Sequence, residues 1–180
     1  PSTRWFIVAL TWFLASPVLA ANHKATNGWS TSFTAGSNHC LAVGAADCRS
    51  VGLGATTTFG AEYRFGSVGF ALDFAYGTQA GEGEGSDDVT IRTMRGNPAI
   101  RYYLDLGKWE FLTGFGFGYS QYKVTDNSNA AVESEARFTS LISAFTMTWG
   151  GLIPLKELAM DAPSGLALLV RADATFHPKG

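Results

Sequence analysis

Residues 51–77, VGLGATTTFGAEYRFGSVGFALDFAYG, alternate apolar with small or polar residues, and the alternation changes phase once. Up to Phe65 the apolar side chains fall on odd numbers (Val51, Leu53, Ala55, Phe59, Ala61, Tyr63, Phe65). From Val68 they fall on even ones (Val68, Phe70, Leu72, Phe74, Tyr76). A period of two is the signature of a strand. A two-residue turn at Gly66-Ser67 produces the phase change, because Phe65 and Val68 then pair and point to one side. Counting outward, Tyr63 meets Phe70, Ala61 meets Leu72 and Phe59 meets Phe74 on that same face. Each run exceeds the ~5–6 residues of an average strand and reaches the ~9–11 needed to cross lipid.

The opposite face reads Gly52, Gly54, Thr56, Thr58, Gly60, Glu62, Arg64, then Gly69, Ala71, Asp73, Ala75, Gly77. Small residues with sparse charges of both signs suit the crowded interior of a small barrel, leaving the apolar face for lipid. A soluble sandwich or ligand-binding barrel with the apolar face inward is the alternative, since closed barrels of both kinds alternate. Composition favours the membrane form. Only 16% of residues are charged, against ~25% in an average soluble domain, while the chain carries 21 glycines and 13% aromatics. A net charge of -2 gives no reason to expect a nucleic-acid partner.

The N-terminus, PSTRWFIVALTWFLASPVLA, has a basic Arg4, an apolar stretch from Trp5 to Ala15 and a small-residue site at Val18-Leu19-Ala20. It reads as an export signal covering 1–20, too short and too interrupted by Pro17 for a transmembrane helix. The expected domain is then 21–180. Export makes a disulfide between Cys40 and Cys48 the expectation, with a metal site beside His39 and Asp47 as the weaker alternative.

Further strands are expected at about 28–36, 89–106, 109–122, 137–153 and 166–176. Polar loops are expected at 37–49, 78–88 and 123–136, and a connector with one helical turn at 154–165. In 89–106 the outward residues change from Val89 and Ile91 to Ile100, Tyr102 and Leu104, which predicts a β-bulge at Gly96-Asn97-Pro98. Tight turns at one end and long polar loops at the other are the outer-membrane pattern. Seven strands are an odd number for such a barrel, so an eight-stranded antiparallel up-and-down barrel with its last strand beyond residue 180 is expected.

GLGATTTFGAEYRFGSVGFALDFAYG and NPAIRYYLDLGKWEFLTGFGFGYS resemble the hairpins of small outer-membrane β-barrel proteins, the OmpA-like and opacity-type group. The likeness covers roughly residues 28–177 and rests on degenerate, architectural motifs. It implies the fold, an outer-membrane location and no shared catalytic residues.

Nine charges are predicted to face the lumen: Glu62, Arg64, Asp73, Arg92, Arg101, Asp105, Glu110, Arg171 and Asp173. Unpaired charges are costly in a narrow interior, so a salt-bridge network is expected, including a Glu62–Arg101 pair. The network either stiffens the barrel or gates a narrow pore for ions or small solutes. No cofactor is expected. A lipid-modifying enzyme would need a nucleophile beside a histidine base. His23, His39 and His177 have no serine two residues away on the same strand face, and His39 could reach Ser86 and Asp87 only through loop folding. The acidic loop Glu82, Glu84, Asp87, Asp88 is a weak candidate for divalent cations. The expected partners are membrane lipid and lipopolysaccharide, with an external ligand at the loops, and the chain is expected to act as a monomer. The expected role is structural or surface-interacting.

Overall fold

The computed structural model describes residues 6–14, 16–18, 27–43, 51–82, 88–126, 136–158 and 165–178. They form an antiparallel β-barrel. Seven long strands carry it: β3 (Asn27–Val43), β4 (Val51–Phe65), β5 (Val68–Glu82), β6 (Asp88–Asp105), β7 (Glu110–Asp126), β8 (Ala136–Pro154) and β9 (Ala167–Pro178). Each pairs with the next in sequence, which is the up-and-down order. The closing position is taken by β1 (Phe6–Leu14), which pairs with β3 on one side and β9 on the other. A short β2 (Ser16–Val18) continues along β9. The residues that read as an export signal thus cover two strand edges whose backbone donors and acceptors would otherwise lack partners.

The opening hairpin has the expected register. Phe65 pairs with Val68, and Tyr63, Ala61 and Phe59 face Phe70, Leu72 and Phe74. Gly66 supplies the positive φ (59°) that this tight turn needs. At the second turn Gly107 (φ 88°) plays the same part, and its N–H donates to Asp105 Oδ1 at 2.8 Å. The third connector holds a single helical turn, α1 (Leu155–Leu158), as the sequence suggested. These three connections lie at one end of the barrel, the turn end. The strand ends at Val43 and Val51, Glu82 and Asp88, and Asp126 and Ala136 lie at the other, the loop end.

Two expectations about the strands are corrected. No bulge interrupts β6 at Gly96-Asn97-Pro98, since its register against β5 runs unbroken from Glu82–Asp88 to Val68–Tyr102. Register shifts occur instead between Val51 and Gly54 and between Val124 and Thr125, close to the loop end. The strands also outlast their apolar alternation: β3 reaches Val43 and β5 reaches Glu82, in stretches expected to be loop. Alternation reports which face is apolar. The backbone ladder needs only a partner strand, and Thr-rich segments such as Thr90-Ile91-Arg92-Thr93 extend it readily.

The outer face carries the large apolar side chains. Phe33, Phe59, Phe70, Phe74, Ile100, Phe115 and Phe117 are exposed around its middle. Trp29, Tyr63, Tyr102 and Trp109 ring the turn end, where Trp29 and Tyr63 pack edge to face at 5.2 Å, and Tyr76 and Tyr119 stand toward the loop end. The buried set is inverted relative to an ordinary core: Glu62, Asp73, Arg95, Arg101, Glu110, Arg171 and Asp173 all lie inside. Among the described residues no helix is long and apolar enough to cross a membrane.

Candidate functional site

The lumen is layered. Nearest the turn end, Tyr103, Leu112, Leu152, Ala167 and Leu169 form an apolar plug. Beside it Arg64 makes a two-pronged ion pair with Glu110 (Nη1–Oε2 2.7 Å, Nη2–Oε1 2.8 Å) and lies 4.2 Å above the Tyr103 ring. Its Nε donates to the Gly66 carbonyl at 2.8 Å, tying the first hairpin turn to β7.

A second, larger network follows. Arg101 donates to Glu62 Oε2 at 2.8 Å and to Asp73 Oδ2 at 2.5 Å. Asp73 Oδ2 also accepts from Arg171 Nη2 at 2.7 Å, and Arg171 Nε donates to Asp173 Oδ1 at 2.8 Å. Thr148 donates to that same oxygen at 2.7 Å. Arg95 closes the series, with Nη2 3.7 Å from Asp173 Oδ2 and Nη1 donating to Thr175 Oγ1. Four arginines thus face four carboxylates, and the buried charges cancel. The Asp73–Arg171 bond joins β5 to β9, strands that are not neighbours, so the network braces the barrel across its width.

Glycines make room for these long side chains. A Cβ on Gly69 would fall 2.0 Å from Glu62 Oε1, and one on Gly114 would fall 2.6 Å from the Ile100 carbonyl oxygen and 3.0 Å from Arg101 Cγ. The small residues read as interior filler are therefore the complement of Glu62 and Arg101.

Toward the loop end the lining changes to Thr34, Asn38, Thr56, Thr58 and Ser120, all buried. A cavity of about 50 Å³ opens there, bounded by Asn38, Thr56, Thr93, Arg95, Ser120 and Thr175 among others. Asn38 Oδ1 and Arg95 Nε are buried without a hydrogen-bond partner. Polar atoms around a space of this size suit a few ordered waters.

Seven of the nine predicted lumen charges join the two networks: Glu62, Arg64, Asp73, Arg101, Glu110, Arg171 and Asp173. The expected Glu62–Arg101 pair is present. Arg92 is corrected. It is exposed and shares the outward parity of Met94, because the strand has no bulge to turn it inward. Asp105 is corrected too: it lies exposed at the turn, accepting from Gly107. Arg95 was missed, since the assumed bulge gave it the wrong face; uninterrupted parity from Arg101 back through Ala99 and Asn97 finds it.

Cys40 lies in the backbone of β3, but its side chain and Cys48 fall outside the described residues, as do the side chains of Glu82, Glu84, Asp87 and Asp88, Ser86, His23 and His177. His39 is half-buried in β3, and because this strand runs through the expected loop, Ser37 lies two residues before it on the same face, which corrects the expectation that no serine is so placed. Among the described residues no three His, Cys, Asp or Glu side chains are grouped to hold a metal ion. Compared with known proteins, the sequence matches no family model and no curated protein.

Proposed function

We propose that the chain is an outer-membrane β-barrel of structural or surface-interacting role, held rigid by its lumen network, with the loop end facing outward. One observation carries the reading: a charge-lined, layered interior lies beneath an outer face whose Trp and Tyr side chains flank a zone of Phe, Leu and Ile. Such aromatic girdles are the mark of a surface passing from water through lipid to water. The outward side chains of β6 are uncharged from Leu104 to Met94. At ~3.4 Å per residue and a tilt of ~40° that stretch spans about 26 Å, close to the ~25 Å apolar band of outer-membrane barrels. The resemblance to the OmpA-like and opacity-type group supports the same reading. Export by a signal at 1–20, whose removal would uncover the β3 and β9 edges that β1 and β2 pair with here, belongs to the reading as well, as does a Cys40–Cys48 disulfide formed after export.

Heat modifiability tests it. Outer membranes containing the full-length protein are compared boiled and unboiled on a denaturing gel. A faster unboiled band from the membrane fraction is expected. Soluble protein with no mobility shift would transfer the case to a soluble barrel.

A narrow pore is the second reading, favoured by the cavity at the loop end. Conduction would require the plug of Tyr103, Leu112, Leu152 and Leu169 to part as well as the ion pairs, so the structural role is preferred. Single-channel recording of Arg101→Ala against the parent decides between them. A pore gated by this arginine changes conductance, and a brace does not.

A further inference from the structure

Arg92 and Lys123 have no place in the lumen, and their position on the outside is specific. They are direct cross-strand partners on β6 and β7, both exposed; in the outward rows Arg92 stands one two-residue step beyond Met94, and Lys123 one step beyond Gln121 and two beyond Tyr119. Neither makes an ion pair among the described residues. Like charges set opposite each other on a sheet repel, so this pair suits an anion between them.

Directly below lies a second, independent feature. The outer face carries a groove of about 540 Å³ whose walls include Phe74, Tyr76, Met94 and Tyr119 and whose floor is Gly96. Gly96 pairs with Phe74 on one side and Tyr119 on the other, so a missing side chain between two rings creates the depression. A Cβ there would meet Phe74 Cε1 at 3.8 Å, an ordinary contact, so close packing does not demand the glycine.

We infer that Arg92, Lys123 and the Gly96 groove form one binding site for a phosphorylated acyl glycolipid of the outer leaflet. A phosphate sits between the two cations and an acyl chain lies in the groove. This inference rests on the membrane reading above. An apolar channel ending in two cations at the edge of the apolar band matches such a lipid in both chemistry and order. Arg92 offers the paired donors that suit phosphate oxygens, and Lys123 a second charge. Tyr76 and Tyr119 sit where the chain would meet the headgroup.

The test uses the folded full chain in neutral detergent micelles, with lipid binding counted by native mass spectrometry. The probes are bisphosphorylated lipid A, phosphatidylcholine and inorganic phosphate. The parent is expected to prefer lipid A. Loss of two charge-assisted contacts in Arg92→Gln/Lys123→Gln should weaken lipid A binding by about ten-fold or more while leaving phosphatidylcholine unchanged. Gly96→Leu, which fills the groove, should weaken both lipids. Equal lipid A binding by the parent and the double variant overturns the site, and so does displacement of lipid A by equimolar inorganic phosphate, which makes it an ion site. A parent that shows no heat-modifiable band overturns the membrane reading itself, so the two failures are separable.

Discussion

The two halves of the lumen solve the same packing problem differently. Near the turn end the interior is filled by long charged side chains locked in pairs: Arg64 with Glu110, and Arg101 and Arg171 on Asp73. Near the loop end it is lined by short hydroxyls and amides around a cavity that suits ordered water. In the charged half every large group depends on another, and removal of one strands its partner in a low-dielectric space. In the hydroxyl half each group is nearly independent and water can replace it. Equal burial therefore does not mean equal cost of change.

Substitutions sharpen that contrast. The largest effect is expected from Asp73→Ala, which deprives two buried guanidinium groups of a shared acceptor. It should cost about 3–5 kcal/mol of stability, read by urea unfolding in lipid vesicles. A loss below about 1 kcal/mol would mean water has entered the network and the halves are alike. Arg64→Ala comes next, at about 1.5–3 kcal/mol in the same assay, since it leaves Glu110 without its charged partner beside the apolar plug. A double-mutant cycle with Glu110→Ala should show positive coupling, and its absence would break the assignment of this pair as a unit.

Gly69→Ala should cost about 1–3 kcal/mol, because a Cβ there drives Glu62 away from Arg101. Combining it with Glu62→Ala should relieve most of that cost. Additive losses would show the glycine serves the backbone rather than the carboxylate. The smallest effect belongs to the hydroxyl half. Thr58→Val, at a buried hydroxyl without a partner, should change stability by no more than about 0.5 kcal/mol in either direction.

The faces of the strands were legible in the sequence wherever one face is apolar. The parity of Val51–Phe65 and Val68–Tyr76 gives the first hairpin and its turn, and it places Glu62, Arg64 and Asp73 inside before any pairing is known. Parity fails where both faces become polar. Val89 and Ile91 read as outward because they are apolar, yet they lie where the strand has left the apolar band and its alternation carries no information about direction. That single misreading moved Arg92 inward and left Arg95 out. The partners within the network were less accessible still. Which of four carboxylates meets which arginine depends on strand tilt and stagger, and no local pattern records that the side chains of Asp73 and Arg171, on strands four apart in sequence order, meet across the lumen. The apolar plug is equally silent, since Leu112 and Leu169 look like departures from alternation until their shared end of the barrel is known.

The closing seam has a kinetic consequence. Every hairpin joins residues close in sequence, such as Phe65 and Val68, whereas in the chain that retains residues 1–20 the seam joins Phe6 to Pro178. Ordering that much intervening chain for one set of ladder bonds carries the largest loop-closure entropy in the molecule, and pairings of this separation dominate folding times. The seven-strand sheet therefore has the contacts to grow hairpin by hairpin as a curved ribbon with two open edges. The time for which those edges stay unpaired sets how long the growing barrel is exposed to misassociation with another chain.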